Sequence, residues 1–305
     1  MSLILGLLWL GAGLTLAVLA LAFAATVPLM RRREPDPPDC PANHDMPAEA
    51  VHFPSRDGLQ LGGWWIPAAG TPRGTVILCP GQNGSLDKDI PQAMPLQRAS
   101  FNVLLFDFRA HGCSEGELVT LGALEQADLF GALDYLEAER GISRVGVLGF
   151  SMGAGVALLV AAQDHRVAAL VVDGAFPRLR GILTGYLRLR GIPGPLAGGF
   201  ARLVLWMASL RAGYSIGRAN PLDLAQRITA PTLFVHGERD PFVRTEEVHA
   251  LAARLGRPVE VWSLPDCGHR QAYQRHSDEY ARRVVGWFAR YLSADETLSA
   301  EADRR

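Results

Sequence analysis

Lysine is all but missing from this 305-residue chain. Lys88 stands alone among 30 basic residues, and the rest are arginine. With 31 acidic residues against them the net charge is −1, so no global field favours nucleic acid. The skew toward arginine by itself decides nothing about mechanism. Cysteine is scarce as well. Cys40, Cys79, Cys113 and Cys267 are too few and too scattered for a disulfide framework. Cys79, closing an apolar run, reads as a small buried hydrophobe. No Cys-x-x-Cys occurs and the eight histidines show no metal-ligand spacing, so no metal site is expected. The glycine-rich stretch 149–155 lacks the Gly-Lys-Ser/Thr ending of a phosphate loop, which argues against a nucleotide site. There is no internal repeat.

A further absence is local. From Leu3 to Met30 there is no charged residue, and the run is rich in leucine and alanine. About 20 helical residues span a hydrocarbon core, so this stretch is long enough even when tilted. Arg31-Arg32-Arg33 follows at once, with nothing basic before it except the α-amine. Basic residues stay on the cytoplasmic side, which predicts a single-pass anchor with the main domain in the cytoplasm. Ala22-Phe23-Ala24 resembles a signal-peptidase site, and the competing reading is a cleaved leader with a secreted or periplasmic product. The missing basic n-region, the length of the run and the position of the arginines favour the anchor.

What remains has ample apolar content for one large α/β domain or two small ones. The expected organisation is an anchor and basic stop over 1–33 and a Pro-rich linker over 34–49 that holds the domain off the bilayer. A folded domain over 50–292 follows, with a charged, aperiodic tail over 293–305. Ala50–Phe53 and Gln60–Ile66, joined through Arg56-Asp57-Gly58, predict an antiparallel hairpin. Apolar strands then alternate with helical stretches. The strands are expected over Thr75–Cys79, Asn102–Asp107, Arg144–Gly149, Ala168–Asp173, Thr232–His236 and Val259–Leu264. The helices are expected over Leu86–Arg98, Leu121–Glu139, Ser151–Gln163, Thr245–Leu255 and Ala272–Tyr291. Uniformly apolar strands alternating with helices predict a doubly wound, mostly parallel α/β sheet, with reactive groups at the carboxyl ends of its strands. Residues 176–218 break the alternation. Leu179–Leu189 and Gly198–Leu210 have helical spacing with Pro193 and Pro195 between them, and they read as a two-helix cap inserted over the sheet.

The chemistry centres on Gly149-Phe150-Ser151-Met152-Gly153, where an apolar run meets a helical one. A serine at such a junction sits in a strained turn with its hydroxyl raised above the sheet, and glycines two residues either side leave room for the neighbouring backbones. A serine hydroxyl needs an adjacent base, and the base needs a carboxylate to orient it. His269 is the histidine at the last strand's carboxyl end, in Pro265-Asp266-Cys267-Gly268-His269. Asp240, in the loop after the preceding strand, is the expected orienter, with Glu238 and Asp173 as rivals. The oxyanion donors are expected to be the backbone N–H of Met152, at the helix start, and that of Gln82 in Pro80-Gly81-Gln82-Asn83-Gly84, with Asn83 next in line.

These elements in this order resemble the α/β-hydrolase superfamily over about Val51 to Leu292. The resemblance rests on the Pro80-Gly81 loop, on the run Asp107-Phe108-Arg109-Ala110-His111-Gly112-Cys113-Ser114-Glu115-Gly116, on the serine turn, and on the Asp240 and Gly268-His269 loops. The branch it is most similar to contains membrane-anchored hydrolase-domain proteins, which resemble serine esterases of acyl esters or thioesters. The resemblance implies that the arginine-and-histidine run is scaffolding, so His111 is not carried over as catalytic. Many members have His-Gly where this chain has Pro80-Gly81.

The cap carries Arg178, Arg180, Arg188, Arg190, Arg202, Arg211 and Arg218 with no acidic residue, leaving −8 over the rest of the chain. Phe200, Leu203, Val204, Met207 and Leu210 form an apolar stripe. A basic amphipathic cap beside an anchor suits an anionic bilayer surface, although such a stripe equally packs on the domain beneath. The sequence therefore predicts a membrane-tethered serine hydrolase of acyl esters on small, lipid-like substrates, with Ser151, His269 and Asp240 as its triad and no cofactor. A thioesterase or an amide-cleaving peptidase would use the same residues, and a catalytically dead membrane scaffold is the alternative from another class.

Overall fold

Eight strands form one sheet in the order β1-β2-β4-β3-β5-β6-β7-β8. They are β1 (Glu49–Pro54), β2 (Gln60–Ile66), β3 (Thr75–Cys79), β4 (Asn102–Phe106), β5 (Val145–Phe150), β6 (Val167–Asp173), β7 (Thr232–Gly237) and β8 (Val259–Leu264). The computed structural model describes residues 2–34, 38–256 and 258–292. β2 pairs antiparallel with β1 and with β4, and the remaining neighbours run parallel. β3 and β5 are buried at every position, as strands covered on both faces must be. Alternation along β3 sends Ile77 and Cys79 into one core and Val76 and Leu78 into the other.

Helices cover both faces. The core containing Ile77 is closed by α3 (Glu125–Arg140), α4 (Met152–Ala161) and α8 (Thr245–Ala252). The core containing Leu78 is closed by α2 (Ile90–Arg98), α9 (Ala272–Arg275) and α10 (Ser277–Leu292). The cap holds α5 (Leu179–Leu189) and α6 (Gly194–Ala212), and the short α7 (Pro221–Leu224) leads back to β7. β3 lies between β4 and β5, so the chain leaves it to one side and later returns to the other. The loops after β3 and β5 diverge there and leave a crevice at the carboxyl edge.

Several boundaries differ from expectation for local reasons. Leu86–Asp89 is a 3₁₀ turn and α2 begins only at Ile90, with Pro91 in its first turn where a missing N–H is tolerated. α3 starts at Glu125 because that buried carboxylate accepts hydrogen bonds from Thr120 N–H, Thr120 Oγ1 and Gly122 N–H, which holds the preceding residues in a loop. The expected helix Ala272–Tyr291 is interrupted at His276, whose ring pairs with Asp266 across the turn. α6 is longer than expected: Pro195 lies in its first turn rather than between the cap helices.

α1 (Ser2–Met30) is one helix, long and apolar enough to cross a membrane by length and composition. Its buried residues are Ala22, Thr26 and Met30, four apart and so on one face. That face meets α6, where the Arg211 guanidinium donates to Thr26 Oγ1 at 2.8 Å and lies over the Phe23 ring at 5.6 Å. Arg32 and Arg33 are not free charges beside a bilayer. Arg32 donates to the carbonyls of Gly112, Ser114 and Gly116, and Arg33 donates to those of Pro28 and Leu29 at the end of α1. The linker expected over 34–49 does not act as a spacer in its described part. Pro41–His44 form a 3₁₀ turn, Met46 is buried in the α2 core, and Asp39 N–H donates to Asp87. The tail over 293–305 lies outside the described residues.

Candidate active site

Ser151 follows β5 directly and caps α4 with φ 52° and ψ −108°, a conformation that costs energy for a residue with a Cβ. Its N–H donates to Asp173 O at 2.8 Å, which ties the turn to β6. The flanking glycines are sterically obligatory. A Cβ at Gly149 would stand 2.6 Å from Gly153 O, and one at Gly153 would stand 2.1 Å from Cys79 O and 2.5 Å from Pro80 O. The turn is wedged against the β3 loop, which brings serine and candidate oxyanion loop side by side.

His269 and Asp240 arrive from the ends of β8 and β7. His269 Nε2 lies 2.8 Å from Ser151 Oγ, and Nδ1 lies 2.6 Å from Asp240 Oδ2. The other oxygen of Asp240 accepts the N–H groups of Phe242 and Val243 at 2.8 and 3.2 Å. The Asp240 side chain is 1% exposed and that of His269 19%, so the carboxylate is fixed while the ring edge can meet a substrate. Phe242 packs edge-on against the imidazole with ring centroids 5.2 Å apart. Gly174, after β6 at φ 71°, clears the ring, since a Cβ there would come within 2.8 Å of His269 Cε1.

Met152 opens α4, where an N–H has no intrahelical acceptor. In the loop after β3, the Cβ position of Gly81 lies 3.6 Å from Ser151 Cβ. Gln82 is pinned from two sides, through its Nε2 donating to Leu29 O at 2.8 Å and its carbonyl at 3.0 Å from His111 Nε2. The serine, the imidazole, the Asp240 carboxylate and the loop of Gly81 therefore converge.

The rivals stand elsewhere. Glu238 is exposed and, among the described residues, only its backbone is engaged, donating to Leu264 O. Asp173 is buried beneath the site, where desolvation pushes its carboxyl up to about 6 against the opposing pull of Arg270 and His269. His236 is buried against Thr245, and His249 lies in α8. Asp266, Cys267 and His276 gather three metal-capable atoms within 4.8 Å, with both Asp266 oxygens 3.0 Å from His276 Nε2.

Two supports flank the triad, and sequence reasoning foresaw only the scaffolding role of the first. The buried ring of His111 spans two carbonyl oxygens, Arg109 O at 2.8 Å and Gln82 O, and so fixes the loop beside the serine. Arg270, next to His269 and at φ 58°, sends its guanidinium inward to pair with buried Asp89 and to lie 4.5 Å over the Phe150 ring. The signal for Arg270 would have been an arginine directly after the base, which means nothing without knowledge of the buried acids.

Residues 74–195 match the model of the alpha/beta hydrolase fold, and residues 206–295 match that of the prolyl oligopeptidase family. The chain is 27% identical over 260 residues to the uncharacterised protein YfhR of Escherichia coli, covering 81% of this chain and 82% of YfhR. It is 28% identical over 294 residues to the alpha/beta hydrolase domain-containing protein WAV2 of Arabidopsis thaliana, covering 92% and 91%. Among solved structures it is similar to the esterase Pf2001 of Pyrococcus furiosus, with a TM-score of 0.71 and 27% identity over 86% of this chain and 100% of the esterase.

Proposed function

This chain has the α/β-hydrolase fold, and on that premise we propose that it hydrolyses carboxylic acyl esters through a Ser-His-Asp triad and an acyl-enzyme, held at a membrane by α1 with its domain on the cytoplasmic side. The observation that carries the reading is the continuous chain from Ser151 Oγ through His269 to Asp240 at 2.8 and 2.6 Å. His269 takes the serine proton as Oγ attacks the acyl carbonyl, and Asp240 holds the tautomer that leaves Nε2 free to accept it. The N–H groups of Met152 and Gln82 stabilise the oxyanion. The imidazolium protonates the leaving alcohol, and water repeats the sequence on the acyl-enzyme. Each step uses groups of the chain itself.

A second reading has a specific observation behind it. The match of residues 206–295 to the prolyl oligopeptidase family favours amide cleavage by the same triad. A fluorophosphonate probe should label the folded chain covalently, and Ser151→Ala should abolish labelling. Absence of labelling in folded protein returns the chain to a membrane scaffold. Turnover of a p-nitrophenyl acyl series without turnover of matched anilides assigns the ester, and the reverse assigns the amide.

A further inference from the structure

Beside the triad lies a groove of about 940 Å³ between the cap and the start of α8. Its walls carry Arg178, Arg180 and Arg188 from α5 and its cap, Arg202 from α6, and Arg244 and Phe242 from the loop after β7. Phe242 is the residue whose ring packs on His269 and whose N–H is held by Asp240, so the groove and the reacting atoms share a wall. Two of the arginines are already paired, Arg178 with Asp223 at 2.9 Å and Arg244 with Glu247 at 3.6 Å. Arg180, Arg188 and Arg202 are exposed and form no ion pair among the described residues. Three unpaired guanidiniums facing one cavity present a fork geometry that matches phosphate oxygens better than a single carboxylate.

The surroundings restrict the ligand further. The outer face of α6 exposes Leu196 at 67%, Trp206 at 52% and Leu210 at 60%, while Ala197 and Ala201 cluster with Leu187 of α5 and Leu205 and Ala208 join the domain core. Apolar surface flanking a basic cavity suits a molecule with both an acyl chain and an anionic head. The geometry points to this groove as the seat for the phosphate group of an amphiphilic acyl ester, with the ester carbonyl delivered past Phe242 to Ser151. The assignment rests on the hydrolase reading for the role of Ser151, whereas the binding step stands on the arginines alone.

The test is equilibrium binding to the full chain carrying Ser151→Ala in neutral detergent micelles. The probes are the ether analogue of a 1-acylglycerol 3-phosphate and the phosphate-free alkylglycerol of the same chain length. The phosphate form should bind about tenfold more tightly, as three partly exposed contacts of about twofold each would give. Substituting glutamine for Arg180, Arg188 and Arg202 together should erase that difference and leave the neutral probe unchanged. Raising salt from about 0.1 to about 0.5 M should weaken only the phosphate probe, a readout that needs no substitution of the arginines. Equal binding of the two probes, or a preference that survives the triple substitution, overturns the proposal. Equally strong displacement by inorganic phosphate assigns the groove to free phosphate and overturns it too. The preference in the Ser151→Ala chain, together with no ester turnover by the wild-type chain, would keep the groove and lose the hydrolase.

Discussion

Asp240→Asn is the substitution that separates the chemistry from the fold. The wild-type carboxylate uses one oxygen for the N–H groups of Phe242 and Val243 and the other for His269 Nδ1. In the variant the amide oxygen keeps the two backbone donors, because an NH₂ there would oppose them. The NH₂ then faces Nδ1 and can only donate, so the ring must carry its proton on Nε2. That proton points at Ser151 Oγ, 2.8 Å away, and the base is lost. The same tautomer error in a serine protease lowers kcat about 10⁴-fold, or roughly 5.5 kcal/mol at 1.36 kcal/mol per decade. The turn itself survives, so stability should change by no more than about 1 kcal/mol. Turnover of p-nitrophenyl butyrate and the rate of fluorophosphonate labelling should both collapse while the melting transition barely moves. Glu238→Gln, at an exposed residue with only its backbone engaged, should stay within about twofold of wild type on the same assays. Retention of kcat within tenfold in Asp240→Asn, or an equal loss in Glu238→Gln, would refute the assignment of Asp240.

Four other perturbations have signs fixed by the geometry. Gly153→Ala places a Cβ 2.1 Å from Cys79 O, a backbone atom that cannot swing aside, and thermal denaturation should show a loss of at least the roughly 1–3 kcal/mol typical of overpacking. Gln82→Pro removes the N–H proposed for the oxyanion and should lower kcat about 10²-fold with KM little changed, whereas Gln82→Leu removes only the contact to Leu29 and should cost far less; equal losses would reject the backbone donor. The Asp173 carboxyl, held up at about 6 by burial, binds its proton more tightly in the folded chain than in the unfolded one. Its contribution is full only well below about pH 4 and is lost as pH rises through about 6, so the stability difference between wild type and Asp173→Asn should shift against wild type by roughly 2 kcal/mol from pH 4 to pH 8 in denaturant titrations. Removing residues 1–20 should leave the domain's melting temperature nearly intact, whereas removal of 1–30 takes Met30 from the core and the Leu29 acceptor from Gln82, and should lower both stability and kcat.

Much of the architecture was legible because its signals are local. The bounds of β3 follow from a short apolar run, those of β8 from apolar residues alternating with Glu260 and Ser263, and α5 from its spacing. Ser151 and His269 were legible for a different reason: a glycine pattern at a strand-to-helix junction, and a position in chain order. Asp240 needed the sheet order to rank it above Asp173, an order that says nothing against Glu238 in the same loop, and its two backbone partners belong to a turn that no periodicity announces. The pair of Arg270 with Asp89 joins residues 181 apart, and the contact of Gln82 with Leu29 joins residues 53 apart. Nothing at either end of such a contact distinguishes it from a solvated side chain. The start of α6 was misread because proline was taken as punctuation, when in the first turn of a helix it has no hydrogen bond to lose.

The boundary between the apolar helix α1 and the domain is where sequence and structure part most usefully. At about 1.5 Å per residue, the 29 residues of α1 reach about 43 Å, against about 30 Å of hydrocarbon that about 20 residues cross. The surplus falls in the last two turns, and those turns are the ones built into the domain. Ala22, Thr26 and Met30 are buried, Arg211 of the cap holds Thr26, and Leu29 O holds Gln82. Arg32 then sews the next residues to the loop 112–116, in the same turn that carries His111 to the Gln82 carbonyl. Composition draws its boundary where charge begins, at Arg31, but packing draws it about nine residues earlier. The last two turns of α1 therefore contact both the cap, through Arg211 and Thr26, and the loop beside Ser151, through Gln82 and Leu29.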